Sequence, residues 1–380
     1  MRFLTAGESH NKGLMAIIEG LPAGVKIDVE KINTSLRLRQ GGYGRGKRMQ
    51  IEKDKANIYS GVRNGHSTGG PIGLIIENKD WANYKENYND DKKMKYCTPR
   101  PGHADLAGMY KYDFDNCRDV LERASARETA IRVAVGSVAE QFLEKFGILV
   151  LSYVYSIGTI KSNIKKSISK AEIYKSPVYC PFPQQREMIE EIEKAKKEKE
   201  TLGGKVYTEV LNLPPGIGSY TQWDRRLDSR LAGHIMSIPS VKGVEFGLGF
   251  KGTEYRGGQF HDEIFLDKSG KLYRETNHAG GIEGGMSNGQ PIYFFTAIKP
   301  IPTVLKGLKT YHTETKKQIK TEYQRSDTAI LPAASVVISS ITAVEIAKTF
   351  LEKFGGDTLS EVKNNYDYYT QKIGRIGANE

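Results

Sequence analysis

Residues 329–347 read Ala329-Ile330-Leu331-Pro332-Ala333-Ala334-Ser335-Val336-Val337-Ile338-Ser339-Ser340-Ile341-Thr342-Ala343-Val344-Glu345-Ile346-Ala347. This is the most apolar long stretch of the chain. Pro332 sits near its start, where a helix tolerates proline, and Gly355-Gly356 follow beyond Phe354. The pattern predicts a helix over about 332–354. Its serines, threonines and Glu345 argue for burial inside a protein rather than a membrane span. A second strong helix is predicted over 118–146, with apolar positions at Val120, Leu121, Ala124, Ile131, Val135, Val138 and Phe142 and a terminating Gly147. Both helices end in Phe-Leu-Glu-Lys-Phe-Gly, at 142–147 and 350–355. This hints at two related halves, and chance use of good helix-terminating residues explains it equally well.

Outward from these helices the chain reads as mostly β. Strands are expected at Leu14–Ile18, at 25–29, within 51–77, at 205–211, at 244–250 and at Ile292–Ile298. Shorter helices are expected at 30–38, 185–200 and 224–237. Residues 78–99, rich in Asn, Asp, Lys and Tyr, read as a mobile surface loop. No linker-like composition break divides the 380 residues, so one interlocked α+β domain spanning 1–380 is expected.

With 38% hydrophobic and 27% charged residues, the chain is neither disordered nor membrane-like. A net charge of +11 draws polyanions, whether nucleic acid, anionic membrane or small phosphates and carboxylates. Three widely spaced cysteines, Cys97, Cys117 and Cys180, suggest no disulfide framework, no zinc site (metal: none) and a reducing compartment. The N-terminus has no signal-peptide pattern.

Six clusters carry candidate chemistry. Arg37–Arg48 packs five cations and four glycines into twelve residues. Glycines admit close backbone approach, and guanidinium forks grip phosphate or carboxylate oxygens. The same run also suits a flexible segment coating nucleic acid, or a solvated loop. Gly7-Glu8-Ser9-His10 offers an imidazole, which a satisfied loop histidine would explain as well. Arg100-Pro101-Gly102-His103-Ala104-Asp105 presents His103 from a Pro-Gly corner. Arg123-Ala124-Ser125-Ala126-Arg127-Glu128 sets two arginines at i, i+4, with small residues between them. Asn277–Gly289 holds five glycines in thirteen residues: a pair of tight turns, or a loop ordered for a purpose. In Gln324-Arg325-Ser326-Asp327, the aspartate is a helix cap or a carboxylate beside a ligand.

Taken together and in this order, the segments Gly7–His10, Arg39–Gly46, Arg100–Asp105, Glu122–Ala130, Asn277–Gly281 and Arg325–Asp327 closely resemble the chorismate synthase family, over about residues 5–350. The resemblance implies a β-α-β sandwich with antiparallel sheets around a helical core, assembled as a homotetramer. It implies a cytoplasmic carbon–oxygen lyase acting on phosphates, at the last step of the shikimate pathway. 5-Enolpyruvylshikimate-3-phosphate would lose phosphate and its C6 proton in a 1,4-anti elimination. Reduced FMN would be required although the reaction is redox-neutral, with NADPH as one source of electrons. No reductase insertion is visible, so an external flavin reductase or a chemical reductant is the expected supplier. Neither nucleic acid nor membrane is an expected partner.

By the same resemblance, His10 protonates the departing phosphate, His103 sets the protonation of the reduced flavin, and Asp327 works with the flavin to remove the C6 proton. Flavin contacts match Arg123, Ala124, Ser125, Pro239, Ser240, Gly284, Lys299, Pro300, Ile301, Pro302, Thr303 and Arg325. Positions matching NADP contacts are Arg39 and Arg45, and the substrate cations are Arg39, Arg45, Arg48 and Arg127. One departure is plain. Asn11 follows His10 where the family usually has glycine; if that position needs φ > 0, asparagine is the next best residue.

Overall fold

The computed structural model describes residues 1–46, 53–164, 168–268, 270–321 and 327–374. Two strands open the chain, β1 (Arg2–Gly7) and β2 (Gly13–Glu19), followed by helix α1 (Val29–Gln40), β3 (Ala56–Ser60) and β4 (Ile72–Glu77). They form an antiparallel sheet in the order β1-β2-β4-β3. Helices α2 (Cys117–Ala124) and α3 (Thr129–Leu143) complete this half. The second half places β5 (Leu149–Ile157), β6 (Gly204–Leu211), helix α4 (Leu227–Met236), β7 (Val241–Phe246), β8 (Ile292–Ile298) and helix α5 (Leu331–Phe354). Its strands run in the order β5-β6-β8-β7, also antiparallel, with Ile160–Lys161 added outside β5.

The two sheet orders are the same, and so is their local chemistry. Leu21-Pro22-Ala23-Gly24-Val25 corresponds to Leu213-Pro214-Pro215-Gly216-Ile217. Ser67 donates to the Pro22 carbonyl at 2.6 Å and accepts from the Val25 amide at 2.9 Å. Ser287 does the same with Pro214 and Ile217, at the same two distances. Each serine lies on a small hairpin within Gly-x-Ser-x-Gly-x-Pro-Ile, at 65–72 and 285–292. The halves hinted at by the shared helix ending are thus a repeated sheet-and-helix unit.

The core lies where the two long helices meet. α3 packs along α5 and against β2 and β4, while α5 packs on β5 and β6. α5 meets the length and composition of a membrane span, yet 89% of its most apolar window is buried inside the chain, as its serines and Glu345 led us to expect. The helices touch backbone to backbone at Gly136, where an added Cβ would lie 2.3 Å from Ser340 Cβ and 2.6 Å from Ser340 Cα.

Four expectations are corrected. Residues 25–29 form no strand: Lys26 makes one isolated bridge to His66, and Asp28 caps α1 by accepting from the Glu30 amide at 2.9 Å. The helix expected over 118–146 breaks at Ser125, whose φ −63°, ψ 139° is extended, with a single 3-10 turn before α3. The strand near 244–250 is shifted to Val241–Phe246 and followed by a 3-10 turn. Residues 78–99 contain two short helices, Trp81–Tyr84 and Asp91–Met94.

Candidate active site

The break at Ser125 sets up the first constellation. Asn116 caps α2 by accepting from the Arg118 amide, and the helix presents Arg118 and Glu122 one turn apart. Glu122 Oε2 accepts from the His10 amide at 2.7 Å, while Oε1 lies 3.0 Å from His10 Nδ1 and 2.6 Å from Arg118 Nη2. Burial pushes the Glu122 carboxyl up, but the hydrogen bond from His10, its charge and that of Arg118 more than offset this and hold it below the usual glutamate range. Tyr84, from the short helix 81–84, meets the His10 ring edge-on at 4.7 Å and carries Arg118 over its own face. His10 is 8% exposed. Asn11 is not among the residues with positive φ; its side chain instead braces the turn, donating to Glu8 at 2.8 Å and accepting from the Lys12 amide.

Behind this loop, Asn78 donates to the carbonyls of Glu8 and Asn11 and accepts from Arg127 Nε at 3.0 Å. Arg127 Nη1 reaches buried Asp54 at 2.7 Å, and Arg39 lies 3.8 Å from the same carboxylate. Arg39 also donates to Thr129 and to the Ala126 carbonyl. These two guanidinium groups are buried and organise the backbone around the Ser125 break. The i, i+4 face expected for Arg123 and Arg127 does not exist, because the break turns them apart: Arg123 is exposed and donates to the carbonyls of Thr5 and Gly7 on β1.

The glycine-rich run is folded, not free, over residues 41–46. Gly42 has φ +91°, and a Cβ there would lie 2.3 Å from Pro332 Cβ. The loop therefore lies on the start of α5, and the flexible-coat reading does not describe it. The same approach brings Arg45 to 2.9 Å from Asp327, whose other oxygen accepts from the Gly46 amide at 2.6 Å. Arg48 and Arg325 lie outside the described residues.

The third constellation is the Pro-Gly corner. The His103 amide donates to the Arg100 carbonyl, with Pro101 and a positive-φ Gly102 between them, a type II turn. Asp105 is fully buried. It accepts from Arg100 Nε at 2.8 Å and lies 2.5 Å from His103 Nδ1. Burial would raise its pKa; the hydrogen bonds from His103 and Arg100 win and hold it far below the usual range. Lys299 Nζ donates to the Gly102 carbonyl, and its amide donates to Ser240, a residue with φ +72°. Burial, aided by nearby Lys242, lowers the Lys299 pKa.

The structure thus joins His103, Ser240 and Lys299 in one group, His10 and Ser125 in a second (the Ser9 and Ser125 hydroxyls are 3.2 Å apart), and Arg45 with Asp327 in a third. Gly284 belongs to none of these. It tips the hairpin at the far end of β8 from Lys299, about 20 Å away by strand rise. Sequence reasoning assigned no role to Glu122, Arg118, Asn78 and Asp54. The i, i+4 spacing of Arg118 and Glu122 was the one signal that could have found a pair of them.

The family model described as chorismate synthase matches residues 1–351. A chorismate synthase from Alkaliphilus metalliredigens is 50% identical over 379 residues, covering 97% of this chain and 99% of that protein. One from Desulforudis audaxviator is 47% identical, covering 98% of each. A solved structure described as a crystal structure of chorismate synthase superposes with a TM-score of 0.79 at 41% identity, covering 98% of both chains.

Proposed function

Because the chain belongs to the chorismate synthase family, we propose a division of labour among its residues for the reaction of that family. The enzyme is a lyase of the shikimate pathway, forming chorismate from 5-enolpyruvylshikimate-3-phosphate by a 1,4-anti loss of phosphate and the C6 proton. The observation that carries the assignment is that each candidate imidazole is held by its own buried carboxylate: His10 by Glu122, His103 by Asp105. A ring so fixed gives or holds a proton in one direction, and such general acid–base assistance is worth ~10²–10⁴-fold.

In this reading His10 donates a proton to the departing phosphate. Asp327, oriented by Arg45 and the Gly46 amide, receives the C6 proton. His103 sets the protonation of the bound reduced flavin. Arg45 and Arg48 meet substrate anions, while Arg39 and Arg127, engaged with Asp54, hold the floor of the site.

The residues around Lys299 suit a flavin phosphate. A lysine, the strained Ser240 and the consecutive segment 299–303 lie together beside His103. Ser240, Lys299–Thr303 and Arg123–Ser125, with Pro239 and Arg325, would hold reduced FMN. When bound, that group supplies electron density to the allylic system that no side chain can offer. Gly284 would reach such a site only from another copy of the chain. That agrees with a homotetramer, as does the exposed apolar outer face of the first sheet, where Leu4 pairs with Ile17 and both are more than half exposed. The main core, whose residues run from Leu14 to Val362 through both halves, supports a single interlocked domain of the family's β-α-β sandwich type. NADPH, met by Arg45, and an external flavin reductase complete the proposal for a cytoplasmic enzyme, Arg39 being buried against Asp54.

The test is an anaerobic assay with dithionite-reduced FMN and 5-enolpyruvylshikimate-3-phosphate. Phosphate release with a transient flavin absorbance change is expected. Release without added flavin, or none at all, would overturn the cofactor assignment.

A further inference from the structure

Cys97, His312 and Glu314 lie outside the three constellations, and nothing in the proposed reaction uses them. Their Sγ, ring nitrogen and carboxylate oxygen all fall within 4.8 Å of one another. The residues come from two segments 215 positions apart in sequence. Cys97 precedes the Arg100–Asp105 corner, and the other two sit in the turn of the hairpin Lys309–Tyr311/Gln318–Lys320. The two segments are already pinned together: the Thr313 amide donates to the Cys97 carbonyl at 2.9 Å, and Thr310 Oγ1 donates to Pro99 at 2.6 Å. The donors therefore meet on a fixed frame rather than by chance contact of mobile side chains.

We infer that Cys97, His312 and Glu314 form a binding site for a zinc-type divalent cation that clamps the hairpin to the segment feeding His103. The donor set of one thiolate, one imidazole and one carboxylate suits a borderline-soft, tetrahedral ion, with water in the fourth place. Bonds of about 2.0–2.3 Å around such an ion require donor–donor separations of roughly 3.3–3.8 Å. The present spread of up to 4.8 Å closes with a shift of about 1.0–1.5 Å. Several existing contacts must be given up or shared. His312 Nδ1 faces the amides of Glu314 and Thr315 at 3.3 Å each, and coordination through either ring nitrogen forfeits these long contacts. Lys95 Nζ sits 2.8 Å from Glu314 Oε1 and can keep that oxygen while the other binds the ion. On binding, the Cys97 thiol releases its proton to solvent and no electron changes hands. The thiolate and the carboxylate then neutralise the ion's two charges.

The experiment uses the untagged full-length protein. It is loaded with Zn²⁺ alone, dialysed and analysed for metal, and separately titrated with Co²⁺ alone. One zinc per chain is expected, together with a cobalt spectrum showing tetrahedral bands and a thiolate charge-transfer band. Cys97→Ser should abolish that band, and Glu314→Gln should weaken Co²⁺ binding at least tenfold while leaving the band in place. Glu314 is exposed, so its variant reports on the site even if Cys97→Ser fails to fold. Substoichiometric zinc, a cobalt spectrum without the thiolate band, or unchanged affinity in Glu314→Gln would each overturn the site.

Discussion

Glu122 grips His10 twice, through the backbone amide at 2.7 Å and the ring Nδ1 at 3.0 Å, so one carboxylate fixes both the position of the loop and the direction of the imidazole. The arrangement makes Glu122 a positioning residue. Glu122→Gln keeps one acceptor for the amide but loses the charge facing the ring and Arg118. A fall in kcat of about tenfold or more is expected, with KM little changed and a reshaped pH–rate profile. A profile identical to wild type would show that the proton on His10 does not matter to turnover.

Tyr84 covers the His10 ring at 4.7 Å. If His10 meets a phosphate oxygen, this cover has to lift or tilt. Tyr84→Ala should leave stability within about 1 kcal/mol of wild type, since the ring is only half-buried. The same variant should speed acylation (ethoxycarbonylation) of His10 by diethyl pyrocarbonate several-fold. Unchanged labelling would mean that Tyr84 does not gate access.

Asp105 links protonation to stability. Its folded pKa is depressed, so the stabilisation it gives is fully present above the ordinary aspartate value of about 3.9 and is lost as pH falls through the folded value. Asp105→Asn should therefore be less stable than wild type by about 3 kcal/mol at neutral pH, the usual cost of breaking a buried charged pair. The gap should narrow progressively as pH drops below about 4. Urea melts at several pH values check this, and a gap independent of pH would exclude the carboxylate as its source.

Gly136 and Ser340 mark the closest approach of the two central helices. Gly136→Ala gains about 1 kcal/mol of helix propensity and loses more to overpacking, about 1–3 kcal/mol. The backbone of Ser340 is itself within 2.6 Å of the added carbon. Adding Ser340→Gly should therefore fail to restore stability. Full rescue in a double-mutant cycle would show that side chains alone were in conflict.

Arg45 and Asp327 are paired at 2.9 Å on a loop and at a helix approach that sequence separates by 282 positions. Arg45→Ala should chiefly raise KM for the phosphorylated substrate, and Asp327→Asn should chiefly lower kcat, by about 10²-fold or more. Steady-state kinetics of the two variants separate the roles. Wild-type turnover in Asp327→Asn would remove it from proton transfer.

Periodic features were legible in the sequence. Ile292–Ile298 and the long helix from Leu331 emerge almost to the residue, because burial on one face or on all faces writes itself into apolar spacing. Local chemistry that overrides spacing was not legible. The apolar period runs unbroken across Ser125, yet the serine leaves helical geometry and caps the next turn by accepting from the Arg127 amide. Val25–Val29 has the composition of a strand, but Asp28 captures the end of a helix instead. The strand Arg2–Gly7 went unread because it pairs only with its neighbour β2, at a sheet edge. The site was half visible: His10, His103 and Asp327 sit in recognisable clusters, while Glu122, Asn78 and Asp54 resemble ordinary surface polar residues until folding buries them. Cys97 and His312 carry no shared spacing at all, so only the tertiary structure brings them into one neighbourhood.

The repeated sheet-and-helix unit has a consequence for how the chain can be divided. Each half sends its long helix into the middle, where the other half's helix covers it. Cut between Gly147 and Ile148, neither fragment would have anything to shield its inner face, and each alone should aggregate. Mixed during refolding, the two should find one another and rebuild the whole, much as two subunits of a dimer do.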